Sequence, residues 1–273
     1  MSLFQAAFLG IVQGLTEFLP ISSTAHLRII PALCGWEDPG AAFTAVTQIG
    51  TLIAVLVYFS GDIIRLAKAF FRSIIPFRPF GQPDSKMAWM ILLGTIPIGV
   101  CGLLFKESIE TSFRSLYVVS TSLILLAIVM WIAERVSRFQ RDISGMTLKD
   151  TQIIGWAQAL ALIPGASRSG TTITAGMFIG LTREAAARFS FLLSIPAVFA
   201  SGVFELVSIR ETLTFDNTMA LLVSTALAGI VGYAAIAFLL RFLRTHKTFL
   251  FIWYRIILGV LILILVLSET IQP

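Results

Sequence analysis

A short polar stretch near the N-terminus interrupts an apolar sequence and carries residue types that move protons and attack electrophiles. Glu17, Ser22, Ser23, Thr24 and His26 lie close together in it. We interpret Ser23 as a candidate nucleophile, with Glu17 and His26 as proton carriers. The alternatives are that Glu17 only caps a helix end and that His26 is structural. On the first interpretation, this stretch is a candidate active site.

A second polar stretch, in the other half of the chain, has the composition of an anion site. Hydroxyl and glycine residues flank Arg168, namely Ser167, Ser169, Gly170 and Thr172. A helix N-terminus offers unpaired N–H groups, and an arginine fork matches two phosphate oxygens. The pattern therefore predicts a phosphate site built from these residues.

The two stretches would form one reaction centre if they met inside the protein. Ser22 and Thr24 would then join Arg168 in binding a phosphate, while Ser23 or an activated water attacks it. Alternatively, Arg168 neutralises Glu17, and the two arrangements can hold at different times. The sequence leaves both open.

The composition indicates what surrounds these residues. Of the 273 residues, 57% are hydrophobic and 13% are charged, and the mean hydropathy is +0.90. Soluble domains contain about 25% charged residues, so a water-soluble domain is excluded. The net charge of +5 arises in loops between apolar stretches, where basic residues contact membrane lipids rather than nucleic acid.

The hydropathy pattern predicts an all-α polytopic membrane protein, with one integral membrane domain over residues 1–273. Two stretches, about 3–33 and 151–180, are broken at their centres by proline and the polar residues above, and they predict re-entrant helix-turn-helix hairpins, because irregular backbone survives at membrane depth only inside protein or beside a wet cavity. Six uninterrupted stretches are long enough for transmembrane helices; they lie near residues 40–59, 87–105, 115–133, 187–208, 218–240 and 250–268.

The order of one hairpin and three crossings occurs twice, over residues 1–136 and 137–273. Because a hairpin returns to its own side and three crossings are odd, the second copy enters from the opposite face, which predicts an inverted-topology repeat. Most of the 20 Lys and Arg residues then lie on the side away from the N-terminus. The positive-inside rule makes that side cytoplasmic and places both termini outside.

The two polar motifs together strongly resemble those of the undecaprenyl-diphosphate phosphatases of the bacitracin-resistance type. The resemblance rests on the segments from Gln13 to His26 and from Pro164 to Thr172. It implies a membrane hydrolase that removes the terminal phosphate of undecaprenyl diphosphate, leaving the carrier lipid for peptidoglycan precursors. It also implies a bacterial cytoplasmic (inner) membrane, an active site open to the outer side, and bacitracin acting indirectly by sequestering this polyprenyl substrate.

The resemblance also carries over site residues and a cofactor. By motif, the functional positions are Glu17, Ser23, His26, Ser167, Arg168, Ser169 and Thr172. A divalent cation such as Mg²⁺ is implied, with Glu17 as its ligand. Gln13 stands where many relatives have Glu, and an amide brings no negative charge, so Gln13 is given a supporting position.

A transporter or flippase of an anionic polyprenyl lipid is the alternative function, because broken helices in inverted repeats are typical of secondary transporters. Glu17, Ser23 and His26 favour an enzyme, since a carrier needs no nucleophile. A homodimer is left open, although the small-xxx-small pattern of Gly176–Gly180 is interpreted as internal packing. Arg28, just after the first motif, has no assigned role.

Overall fold

The computed structural model describes residues 1–111, 113, 115–209 and 215–272, and the side chains of residues 41, 110, 209, 215 and 216 are left aside. Within these ranges the regular structure is helical, apart from an isolated bridge between Arg141 and Leu181. The α-helices are α1 (Leu3–Phe18), α2 (Ser23–Cys34), α3 (Gly40–Tyr58), α4 (Ser60–Ile74), α5 (Pro83–Leu104), α6 (Lys106–Glu110), α7 (Leu116–Val136), α8 (Leu148–Ala159), α9 (Arg168–Phe178), α10 (Arg183–Ile209), α11 (Phe215–Thr245) and α12 (Phe249–Leu267).

Five of the described helices, α5, α7, α10, α11 and α12, are long and apolar enough to cross a membrane. A sixth crossing is counted when α3 is taken together with α4. The predicted crossing near residues 40–59 coincides with α3. The chain is therefore an all-helical, multi-pass membrane protein, as the hydropathy predicted.

Helix α4 was not predicted. It follows α3 almost directly, at a bend of 84°. Arg65, Lys68 and Arg72 recur on it at spacings of three and four residues, and they lower its mean hydropathy. The absence of an uninterrupted apolar stretch therefore predicts a connection over residues 60–74, whereas the charge spacing is that of an amphipathic helix.

Each of the two interrupted apolar stretches consists of two helices joined at the predicted break. Helix α1 ends at Phe18 and α2 begins at Ser23. Helix α8 ends at Ala159, a 3₁₀ turn over Leu160–Leu162 follows, and α9 begins at Arg168. In both cases the two helices also contact each other.

The two breaks have the same backbone geometry. Ser22 and Ser167, the N-cap residues of α2 and α9, have φ values of 73° and 68°. Each side-chain oxygen accepts a hydrogen bond from the backbone N–H three residues later, at Ala25 and Gly170. Positive φ is uncommon outside glycine, so the shared value marks a matched local structure at the two breaks.

The two halves of the chain interlock. Helix α1 packs against α11, and α8 packs against α5, so each interrupted stretch contacts a long helix of the other half. Glycines permit both contacts. A Cβ at Gly10 would lie 2.4 Å from the carbonyl oxygen of Ser224, and one at Gly155 would lie 2.4 Å from that of Gly94.

Ion pairs join the helices where α3 and α7 end and α10 begins. Arg183 of α10 binds the buried Glu134 of α7. Arg141 donates to Asp150 at 2.5 Å, and Arg188 of α10 pairs with Asp62 of α4. These contacts fix the loops between elements at this end of the bundle.

Candidate active site

Glu17 is the residue at which the two predicted polar stretches meet. It is buried, with 6% of its surface exposed. Its Oε2 accepts hydrogen bonds from Ser23 Oγ at 2.7 Å and Gln13 Nε2 at 2.8 Å, and its Oε1 accepts one from Arg168 Nη2 at 2.7 Å. The carboxylate and hydroxyl of the first polar stretch and the guanidinium of the second are thus joined by hydrogen bonds.

Arg168 and Gln13 each keep one buried polar atom without a hydrogen-bond partner in the described part of the chain. These atoms are Arg168 Nη1 and Gln13 Oε1. An unpaired buried donor or acceptor costs about 1–3 kcal/mol, so both atoms mark positions where a polar ligand would be stabilised. Arg168 is also the first residue of α9, where the helix dipole favours an anion.

The other hydroxyls of the second polar stretch are engaged with the protein. Ser169 Oγ donates to the carbonyl of Leu19 at 3.0 Å, which joins α9 to the first break. Thr172 Oγ1 lies 2.6 Å from Ser190 Oγ and is fully buried. In this arrangement Ser169 and Thr172, like the capping Ser167, position α9.

The hydroxyls of the first stretch divide in the same way. Ser22 Oγ caps α2 and lies 3.1 Å from Thr24 Oγ1. Thr24 Oγ1 also accepts a hydrogen bond from the backbone N–H of Gly165, at 3.4 Å. Thr24 therefore bridges the two breaks.

His26 makes its hydrogen bonds away from Glu17 and Ser23. Its Nδ1 lies 2.7 Å from the carbonyl oxygen of Ser22, and its Nε2 lies 2.6 Å from the hydroxyl of Tyr254. A carbonyl only accepts, so Nδ1 carries the proton, and Nε2 of the neutral ring accepts from Tyr254. The structure thus ties His26 to the turn that precedes Ser23.

Arg255, which lies outside both polar motifs of the sequence, holds the two breaks together. It is 0% exposed, and its guanidinium donates to the carbonyl oxygens of Pro20 at 3.4 Å, Gly165 at 3.2 Å and Ala166 at 2.9 Å. A Cβ at Gly170 would lie 2.5 Å from Arg255 Nη1, so this glycine makes room for the guanidinium. An ionisable residue within an apolar membrane segment indicates a function, and in the sequence Arg255 is such a residue.

A cavity of about 520 Å³ reaches this cluster. Of the residues in the cluster, Glu17, Thr24 and Arg168 line the cavity and form what we call its polar floor, whereas Ser23 and His26 are not among its lining residues. Its wall comes from the beginnings of α3 and α7 and the ends of α5 and α10, and includes Ile98, Leu103, Val198 and Phe204, together with Arg28, Lys106 and Glu205. A charged floor beneath an apolar wall suits a ligand with an anionic head and an apolar tail. Another cavity, of about 550 Å³ and lined by Trp36 and Glu37 among others, includes none of the predicted site residues.

The residues present fit a divalent cation only in combination with a ligand. Among the described residues, no three His, Cys, Asp or Glu side chains group as metal ligands. Glu17 offers one carboxylate, and the unpartnered Gln13 Oε1 offers a second oxygen. Mg²⁺ is commonly held by one or two protein oxygens together with substrate phosphates and water, and Glu17 with Gln13 meets that requirement.

Comparisons with known proteins show the family of the chain. Residues 6–261 match the family described as Bacitracin resistance protein BacA. A protein of Chloroherpeton thalassium named undecaprenyl-diphosphatase is 59% identical over 272 residues, which cover 96% of each chain. Proteins of the same name from Prosthecochloris aestuarii and Myxococcus xanthus are each 56% identical, and the matches cover 100% of this chain and 100% and 92% of theirs. The chain therefore belongs to the bacitracin resistance protein BacA family.

Proposed function

We propose that the protein is a membrane hydrolase that removes the terminal phosphate of undecaprenyl diphosphate and leaves undecaprenyl phosphate for cell-wall precursor synthesis. The observation that carries the proposal is the convergence of Ser23, Arg168 and Gln13 on the buried Glu17 at the floor of a partly apolar cavity. The family membership and the name shared by the relatives support the same activity.

Substrate binding begins with an exchange of partners at Arg168. In the free enzyme Arg168 neutralises Glu17. The terminal phosphate binds the guanidinium of Arg168, including the unpartnered Nη1. The dipole of α9 stabilises the negative charge of the phosphate further. Glu17 is thereby released to act as a base. This gives both sequence interpretations of Arg168 a place in one cycle.

The chemical step transfers the terminal phosphoryl group. Ser23 Oγ attacks the terminal phosphorus, its proton passes to Glu17 Oε2, and the bond from that phosphorus to the bridging oxygen breaks. Undecaprenyl phosphate leaves with the bridging oxygen. As it leaves, this product takes the proton from Glu17, which restores the carboxylate. Water then attacks the phosphorus of the phosphoserine, its proton passes to Glu17 and on to Ser23 Oγ as the bond from phosphorus to that oxygen breaks, and inorganic phosphate is released. Ser23 is not among the residues that line the cavity, and its hydrogen bond to Glu17, which does line it, connects the hydroxyl to the cavity.

Glu17 and Gln13 are the residues that would hold Mg²⁺ beside the diphosphate. The ion would supply charge neutralisation for the phosphate oxygens.

The test is release of inorganic phosphate from farnesyl diphosphate by purified protein in detergent. We expect turnover by the wild type and its loss, by at least about a hundredfold, in Glu17→Gln, because the amide cannot accept a proton. Glu37→Gln, a change of the same kind outside the catalytic cluster, is the matched control and should retain activity. The absence of phosphate release by the wild type would overturn the proposal and favour the lipid transporter.

The location proposed for the enzyme is the bacterial cytoplasmic membrane, with both termini and the cavity mouth outside. The cavity wall comes from the helix ends on the N-terminal side, if each long helix crosses once. The inverted repeat with two re-entrant hairpins is part of the same proposal. The matched caps at Ser22 and Ser167 and the reciprocal packing at Gly10 and Gly155 support it.

A further inference from the structure

We infer that Arg28 forms a second oxyanion site in the cavity, which binds a phosphate group next to the one held by Arg168. The inference rests on the proposed function. Arg28 lines the same cavity as Glu17, Thr24 and Arg168. It follows Thr24 by four residues on α2, so it stands about one helical turn from the polar floor. The inference places the other phosphate of a diphosphate anchored at Arg168 against Arg28.

The guanidinium of Arg28 has unused hydrogen-bonding capacity. Its Nε is buried and has no hydrogen-bond partner among the described residues. Its ion pair with Asp38 spans 3.7 Å, which is too long for a hydrogen bond. An arginine in an apolar membrane segment is costly, and a planar guanidinium fork is suited to a phosphate.

The cavity lining carries two further charged side chains besides Arg28 and the Glu17–Arg168 pair. Lys106 and Glu205, of opposite charge, also line the cavity, and the Lys106 ammonium lies 4.7 Å from the ring centroid of Phe204. Cationic side chains outnumber carboxylates in the lining, so an anion is favoured over a neutral ligand. The apolar wall begins beside these residues and accommodates the prenyl tail.

Two phosphate groups meet this description: the phosphate that stays on the lipid, and the inorganic phosphate released by the reaction. Contacts to a group that does not react are equally strong in the ground state and the transition state, so their loss raises KM and leaves kcat unchanged. Contacts to the released phosphate would instead set the inhibition constant of inorganic phosphate. The two sources are therefore separable by steady-state kinetics.

The experiment measures kcat and KM for farnesyl diphosphate, and the inhibition constant of inorganic phosphate, in the wild type and Arg28→Leu. Losing one charge-assisted contact should raise KM about tenfold, with kcat within about twofold of the wild type. A rise in the inhibition constant alone would support the site and assign it to the released phosphate. Arg72→Leu, which changes an exposed arginine on α4, is the matched control and should change neither constant.

Two further variants guard against a structural explanation. Asp38→Asn removes the charge that faces Arg28 but keeps the Oδ1 that accepts from Gly40 N, and we expect KM to stay the same or fall. If Asp38→Asn reproduced the Arg28→Leu defect, or if a monodisperse Arg28→Leu left both constants unchanged, the inference would be overturned. Should Arg28→Leu not fold, Arg28→Lys tests the fork, with a rise in KM of several-fold expected. A wild type that releases no phosphate would instead remove the proposed function itself.

Discussion

Glu17 combines three hydrogen bonds that no single segment of the chain provides. One comes from the same helix, one from the next helix and one from the other half of the protein. Desolvation of a carboxylate is costly unless it is paired and hydrogen-bonded. Here the ion pair with Arg168 and the hydrogen bond from Ser23 offset that cost. The same contacts place a base against a hydroxyl, so neutralisation and activation share one geometry.

Replacing Ser23 by alanine tests the nucleophile. If the hydroxyl attacks, Ser23→Ala should lose at least about a hundredfold in phosphate release, because the covalent route is removed. Steady-state release from farnesyl diphosphate measures this loss. Retention of a tenth or more of wild-type turnover would instead assign the attack to a water activated by Glu17. Ser60→Ala, at the start of α4 and exposed, is the matched control.

Arg168→Lys tests the fork rather than the charge. Lysine preserves the charge opposite Glu17 but cannot make two parallel hydrogen bonds to a phosphate. We expect kcat/KM for phosphate release to fall by about a hundredfold, the order of magnitude for losing one preorganised donor. Activity equal to that of the wild type would mean that Arg168 serves only to neutralise Glu17. Thermal midpoints measured in parallel separate this effect from unfolding.

At the scale of elements, the site depends on how closely helices approach one another. Gly155 of α8 faces the backbone of Gly94 on α5, where an added Cβ would lie 2.4 Å from a carbonyl oxygen. Backbone cannot move aside as a flexible side chain does. Contacts of this kind, together with the Arg255 clamp, set the positions of the breaks.

Gly155→Ala should therefore destabilise the protein. Overpacking of this kind costs about 1–3 kcal/mol, and we expect a lower thermal midpoint in detergent together with reduced phosphate release. Gly61→Ala is the matched control, because a Cβ at Gly61 meets nothing within 4 Å. An unchanged midpoint in Gly155→Ala would contradict the close packing of α8 on α5.

The loop between α7 and α8 contributes a pH-dependent contact. Burial by itself raises the pKa of Asp150, but hydrogen bonds from Arg141 and Thr147 lower it by more, so the pKa lies below its usual range. A carboxylate with a lowered pKa in the folded state stabilises the fold above its unfolded pKa, and this stabilisation is lost as the pH falls through the folded value. Asp150 should therefore contribute at neutral pH and progressively less in acid.

The thermal midpoint of Asp150→Asn measures that contribution. We expect it to lie below the wild-type midpoint at pH 7, and the difference should shrink as the pH falls below about 4, where Asp begins to be protonated. Asp142→Asn, a nearby residue that caps Ile143 N, serves as the control. A difference that stayed constant down to low pH would contradict an ionised Asp150 in the folded protein.

At the scale of the whole molecule, the proposed topology places the cavity and both termini on the outer side. Cys34, at the end of α2, is exposed and not in a disulfide. In intact cells it should react with a membrane-impermeant maleimide. A cysteine placed by Arg72→Cys in a Cys34→Ser background should react only after the membrane is permeabilised. Labelling of both positions from the same side would contradict the assignment of sides.

The sequence predicts more of the fold than of the site. Membrane character, the long helices and both breaks were predicted, because hydropathy and proline act locally. Helix α4 was missed, because its charges break the apolar run that marks a crossing. The hydrogen bonds of His26 to Tyr254 and of Arg255 to the breaks also escaped prediction, since α12 lies far from both motifs in sequence.

The sequence by itself determined that the protein lies in a membrane, that two apolar stretches are interrupted, and which side chains those interruptions carry. These properties depend on the free energy of transferring each segment from water to lipid, to which each segment contributes on its own. Only the tertiary structure decided that Glu17 contacts Arg168, that Ser169 and Thr172 are engaged elsewhere, and that Arg28 shares the cavity. Those outcomes depend on packing between helices of the two halves, where a shift of about one ångström makes or breaks a hydrogen bond.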